Sequence, residues 1–212
     1  MSSKKRDFLN GNFYHIFNKT VDSKTPFLDT SLCNRFLLTV FYYRASDLQL
    51  SFSKWKRLDT RQKSEIKKQL NNTAKFRVQI ISYCLMPNHF HFILKQSTSD
   101  GIHDFISNIT NSFTRAYNTQ HERKGPLFLS PFHDVPITTE QQLLNVSRYV
   151  HRNPIAHKAT FRDSFREYPW SSYKDYLGNN PDLLALTYTE PVLKYFNNDL
   201  NKYKEFVEDD FH

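Results

Sequence analysis

The sequence predicts an α+β fold: a ferredoxin-like antiparallel sheet with helices on one face, plus a helical insertion and a C-terminal extension. Three observations carry this. Residues 76–96 read as two strands joined by a link so short that they must pair as a hairpin. The order along the chain is strand, helix, insertion, strand, strand, helix, strand, helix, which is close to the split β-α-β plan. The chain has only four glycines and no Gly-rich loop, so the phosphate-cradling loops of nucleotide-binding folds are excluded.

Each element has a local reason. NFYHIFN (12–18) is aromatic and β-branched, and suits a first strand. Thr30 or Ser31 is placed to cap a helix through CNRFLLTVFYYRA. Residues 53–72 are Lys-rich with little apolar face, and are expected to form an insertion or a surface helix, mostly solvated. FRVQIISYCLM (76–86) is a strand. Met86-Pro87-Asn88 is the link, because proline cannot donate to a ladder and asparagine favours turns. HFHFILKQ (89–96) alternates strictly and is the partner strand. STSDG leads to a helix over 102–121, a loop follows at 125–131, and FHDVPI is a short strand. Thr138 or Thr139 caps a helix from 140 to about 152, which Pro154 is expected to end.

A chain of 212 residues is expected to build one domain around an apolar core. Lys plus Arg number 29 against 21 Asp plus Glu, a formal net charge of +8, and the pI is about 9.4. Such a balance points to a polyanionic partner, nucleic acid above all. Aromatic residues are 16% of the chain; most should fill the core, and some can stack on unpaired bases. Cys33 and Cys84 sit in apolar segments without metal-type spacing, which suits buried thiols in a reducing cytoplasm. The polar stretch 1–7 is not followed by an apolar one, so no secretory signal is expected. No apolar run approaches the ~18–20 residues of a membrane span.

Two constellations carry chemistry. His89 and His91 are two apart on a predicted strand, so both imidazoles point to one side. Phe90, Phe92 and Leu94 point to the other, toward the core. Two imidazoles projecting together can chelate a cation, although a bare His-x-His pair also occurs as ordinary surface or core histidines. Tyr149 and Asn153 are four apart and share one helix face. Leu143, Val146 and Val150 form the stripe that docks this helix. Tyr149 lies at its edge, where a ring can be half buried with its hydroxyl reachable; the ordinary role of such a tyrosine is to anchor the helix.

CLMPNHFHFIL resembles the metal motif of the HUH single-tyrosine transposases, which include the small insertion-sequence transposases and the REP-associated tyrosine transposases. FYHIFNKTVD resembles that family's first strand and following turn. RYVHRNPIAHK resembles the helix end that bears the nucleophile, and PWSSYKDYLG a segment after it. The matches run in the family's order over 13–178. The resemblance implies a catalytic domain at 1–178 and an extension at 179–212. It makes His89 and His91 metal ligands, Tyr149 the nucleophile and Asn153 a third ligand, with Mg²⁺ or Mn²⁺ as the metal. One stretch departs: after GPLF many relatives carry Gln-Gly-Arg or a similar basic run, where this chain has Leu129, Ser130 and Pro131.

The activity so implied is cleavage and rejoining of single-stranded, hairpin-associated DNA through a 5′-phosphotyrosine, by a monomer or homodimer. Phosphate contacts are expected from Arg148, Arg152, Lys95, Lys4, Lys5 and Arg6. Tyr117, in SFTRAYN, is the competing nucleophile. Two rival readings use the same residues: a catalytically inactive or domesticated nucleic-acid-binding module, and a metal nuclease that activates water.

Overall fold

The computed structural model describes residues 7–178, 184 and 186–209. Four strands pair antiparallel into one sheet: β1 (Phe13–Lys19), β2 (Val78–Met86), β3 (His89–Gln96) and β4 (His133–Ile137), in the order β2-β3-β1-β4. β2 and β3 form the expected hairpin about Pro87 and Asn88, with Met86 opposite His89 and Cys84 opposite His91. On its other side β3 pairs with β1, placing Phe17 opposite His91 and Lys19 opposite His89. β4 is an edge strand, where Pro136 is tolerated.

Two crossover helices cover one face. α1 (Thr30–Tyr43) follows β1, and α4 (Gly101–Gln120) joins β3 to β4. They bury Phe36, Val40, Phe105, Ile109 and Phe113 against Ile16, Phe90, Phe92 and Leu94. The N-cap of α1 lies just before the expected Thr30 or Ser31. Asp29 is the N-cap, its carboxylate accepting the N–H groups of Ser31 and Leu32 at 2.7 and 3.2 Å. An ionised cap also favours the positive end of the helix dipole.

The 53–72 segment forms two helices, α2 (Phe52–Arg57) and α3 (Thr60–Leu70). It is less solvated than its composition suggests. Phe52, Trp55 and Leu70 are buried in the same core, with Trp55 packed on Tyr42 at 5.1 Å between ring centroids. Three anchors spread over two short helices leave no periodic stripe to read.

The other face corrects the expectation of helices on one side only. α5 (Glu140–Ala156) packs across β2 there, joined by α6 (Tyr173–Tyr176), α7 (Glu190–Leu193) and α8 (Leu200–Glu208). They share a second core with Ile81, Cys84, Met86 and Ile93. β2 is therefore buried on both faces, which is why VQIISYCLM reads as an apolar run rather than an alternation. Thr139 caps α5 in a capping box with Gln142. Pro154 does not end α5, which continues to Ala156. Only one backbone bond is forfeited so near the C-terminus, and the His157 N–H still bonds the Asn153 carbonyl at 3.0 Å. Asn153 thus stays on the helix.

α5 is held by a buried hydrogen-bond chain. His151 Nε2 donates to Ser172 Oγ at 2.9 Å, and the Tyr203 hydroxyl donates to His151 Nδ1 at 2.8 Å. The Tyr203 oxygen accepts from Ser147 Oγ, and Ser172 Oγ accepts the Tyr83 N–H of β2 at 2.8 Å. This tautomer uses both ring nitrogens, and a second ring proton would oppose the Tyr203 donor. Burial accordingly pushes the His151 pKa down to about 3. Between that value and the unfolded value of about 6.5 the unfolded chain binds the extra proton. The contribution is full above pH ~6.5 and is lost as pH falls toward 3. His151→Gln is expected to reduce the acid-side slope of stability by up to ~1.4 kcal/mol per pH unit, read as urea-unfolding free energies from pH 7 to 4. An unchanged slope would contradict the buried neutral imidazole.

Candidate functional site

The alternation of β3 that sends Phe90, Phe92 and Leu94 into the first core turns His89 and His91 to the α5 face. Both are buried, at 6% and 4% exposure, with ring centroids 5.0 Å apart. α5 lays Tyr149 edge-on against His91 at 5.6 Å and against His15 of β1 at 5.8 Å. At the other end of the same stripe His157 meets His89 edge-on at 5.4 Å. Asn153 lies between Tyr149 and His157, one turn from each, and is fully buried. Tyr149 is 46% exposed, so its ring is wedged while its edge meets solvent.

The site is built of neutral donors. Burial, then the nearness of His15 and His89, pushes the His91 pKa down to about 2. Burial first, then His157 and Lys19, pushes His89 to about 4, and burial does the same to His15. At neutral pH each imidazole keeps a lone pair. His89 Nδ1 lies 2.7 Å from Asn88 Oδ1, and His91 Nδ1 lies 3.0 Å from His15 Nε2. Asn153 Nδ2 donates to the Tyr149 carbonyl at 3.0 Å. Two buried atoms are left without a hydrogen-bond partner, His91 Nε2 and Asn153 Oδ1. Buried orphan acceptors are costly. Two imidazole nitrogens and an amide oxygen fit a divalent cation, and a cation would satisfy both orphans. Among the described residues no three His, Cys, Asp or Glu side chains converge as a metal cage; a third donor beside the two imidazoles would be the Asn153 amide.

The other candidates fall elsewhere. Lys95 packs over Phe13 at 5.6 Å, farther along β3. Arg148 lies over Phe206 at 4.7 Å, and Arg152 donates to the Asp209 carbonyl, so these contacts run to the C-terminal segment. Lys4, Lys5 and Arg6 lie outside the described residues. Tyr117 packs with the first core, on the far side of the sheet, its ring tilted against His121 at 4.2 Å. Leu129, Ser130 and Pro131 line a groove of about 520 Å³ with Ser107, Thr110 and Asn111 of α4. Sequence reasoning missed His15, Asn88, His157 and Lys19. The odd positions of β1 put His15 and Lys19 on the site face, but only once the β1–β3 register is known.

The chain thus places a His-x-His pair on an inner strand of a ferredoxin-like sheet, faced by a tyrosine-bearing helix. The structure of a REP-associated tyrosine transposase bound to a REP hairpin matches with a TM-score of 0.57, over 87% of this chain and 90% of that one, at 14% identity. No curated protein matches the chain in sequence. The family model of IS200-like transposases matches residues 52–153, a stretch that contains His89, His91, Tyr149 and Asn153. Over that stretch the chain is similar to the IS200-like transposases, and its fold is that of the structural neighbour.

The orphaned acceptors have a thermal signature. Each costs the metal-free protein on the order of 1–3 kcal/mol, and a cation that binds only the folded state stabilises it. Mn²⁺ is expected to raise the melting temperature of the wild-type chain and to leave His89→Ala/His91→Ala unmoved in differential scanning fluorimetry. An equal rise in both would place the cation elsewhere.

Proposed function

We propose that the chain is a metal-dependent strand transferase that cleaves and rejoins single-stranded DNA beside a hairpin through Tyr149. The observation that carries this is the half-exposed Tyr149 ring wedged against His91, at a site where His91 Nε2 and Asn153 Oδ1 lack partners. His89, His91 and Asn153 would hold Mg²⁺ or Mn²⁺. Such an ion, when bound, supplies Lewis acidity toward a non-bridging oxygen of the scissile phosphate.

The remaining work belongs to this chain's residues. The Tyr149 oxygen forms a bond to phosphorus as the bond to the 3′ oxygen breaks, leaving a 5′-phosphotyrosine and a free 3′-hydroxyl. The phenol gives up its proton as that bond forms, and the departing 3′ oxygen takes one up. The new ester conserves the phosphodiester energy, and a 3′-hydroxyl can reverse the step without ATP. Lys19, opposite His89 across the β1–β3 ladder, adds positive charge where a phosphate would lie. The hairpin substrate is supported by the REP hairpin bound to the structural neighbour and by the net charge of +8.

Tyr149→Phe tests this directly. It removes one oxygen from an edge ring, so folding should change by only ~1 kcal/mol or less, and hairpin-DNA affinity should persist. On denaturing gels the wild type with Mn²⁺ is expected to give a protein–DNA adduct that Tyr149→Phe and EDTA abolish and Tyr117→Phe retains. Cleavage surviving in Tyr149→Phe would identify a water-using nuclease. A wild type that binds hairpin DNA but never forms an adduct would identify an inactive binding module.

A further inference from the structure

We infer that His15 and Asn88 are positioning residues that set the tautomers of His91 and His89, turning both Nε2 lone pairs toward the Tyr149–Asn153 stripe; the inference deepens the metal-site reading above and rests on it. The geometry is specific. His89 Nδ1 lies 2.7 Å from Asn88 Oδ1, and an amide oxygen can only accept. His89 therefore carries its proton on Nδ1, and its Nε2 is a bare lone pair. Asn88 is itself pinned, because its carbonyl accepts from the Thr20 N–H at 2.9 Å and from Thr20 Oγ1 at 3.1 Å.

His91 Nδ1 lies 3.0 Å from His15 Nε2, with both rings buried. One of the two must donate. If His15 donated, His91 would carry its proton on Nε2, and that buried N–H would have no acceptor, since Nε2 has no partner. If His91 donates from Nδ1, its Nε2 becomes a lone pair available to a cation, and His15 keeps its own proton on Nδ1. The second arrangement leaves no buried donor stranded at His91. It is the outer-shell pattern in which a ligand histidine gives its other N–H to a fixed acceptor. The usual acceptors are a carboxylate, a carbonyl or water; here the acceptor at His91 is a second imidazole. His15 is fixed by packing, with its ring 5.2 Å from Phe17 and 5.8 Å from Tyr149. One side chain thereby orients a ligand and braces the tyrosine.

Two measurements test this, and neither reads catalysis. Long-range ¹H–¹⁵N spectra of the metal-free protein are expected to show Nδ1–H tautomers for His89 and His91, with both Nε2 atoms unprotonated. An Nε2–H tautomer at His91 would overturn the role of His15, and one at His89 the role of Asn88. Mn²⁺ titration then uses paired variants. Asn88→Leu and His15→Phe keep bulk but remove the acceptor, and should weaken Mn²⁺ binding about 10- to 100-fold. Asn88→Asp and His15→Gln restore an acceptor and should recover most of that loss; melting curves check that all four fold. Asn88→Asp also separates the two possible amide orientations, because a carboxylate cannot donate. Wild-type affinity in Asn88→Leu and His15→Phe, with binding lost in His91→Ala, would overturn the inference while leaving the metal site standing. Undiminished binding in His89→Ala/His91→Ala would overturn the metal site itself, and the tautomer spectra would still decide whether His15 and Asn88 act on their neighbours.

Discussion

Strand β3 has to satisfy two opposite demands at once, and the rest of the architecture depends on its register. Its even positions, Phe90, Phe92 and Leu94, are core residues under α1 and α4, while His89 and His91 face α5. A slip of one residue would exchange the faces, driving imidazoles into an apolar core and phenyl rings into the site. The register is held from both sides. β2 fixes it through the two-residue link at Pro87 and Asn88, and β1 through the pairing of Phe17 with His91. The phenyl cluster of Phe27, Phe36, Phe90, Phe113 and Phe128 makes the correct alignment the one that buries the most apolar surface.

The second half of the site depends on contacts far from it in sequence. α5 shares its core on the sheet with α6, α7 and α8, and Tyr203 joins Ser147 and His151 of α5. The C-terminal helix therefore does structural work for Tyr149 and Asn153. The same packing engages Arg148 and Arg152. Their contacts with Phe206 and Asp209 help hold α8 to α5. The face carrying the histidine pair has no carboxylate in its donor set, so His89, His91 and Asn153 would leave a bound divalent cation most of its charge. That excess suits an anionic phosphate.

Much of this was legible in the sequence, for definite reasons. The hairpin around Pro87 and Asn88 announced itself because a two-residue link permits one pairing, and period-two alternation then put His89 and His91 on one side. Tyr149 and Asn153 fell on one stripe because the helix beneath them has a strong apolar period and a Thr139–Gln142 capping box. The face occupied by α5 was not legible, since a strand buried on both sides, such as β2, loses the alternation that would mark it. Asp29 precedes two hydroxyl residues, Thr30 and Ser31, that are also favoured caps by residue type, so the sequence does not single it out. His15, 76 residues before His91 in the chain, needed the β1–β3 register, and Lys19 with it. The anchors Phe52, Trp55 and Leu70 were hidden because six- and eleven-residue helices each offer too few apolar positions to show a face.

The central claim is that the histidine pair and the Tyr149–Asn153 stripe are one site whose chemistry passes through a single tyrosine. Peptide mapping of a trapped protein–DNA complex measures this most directly. The account requires the DNA to be attached, through a 5′-phosphate, to the peptide containing Tyr149. Attachment at Tyr117, on the opposite side of the sheet, or at any other residue, would contradict it.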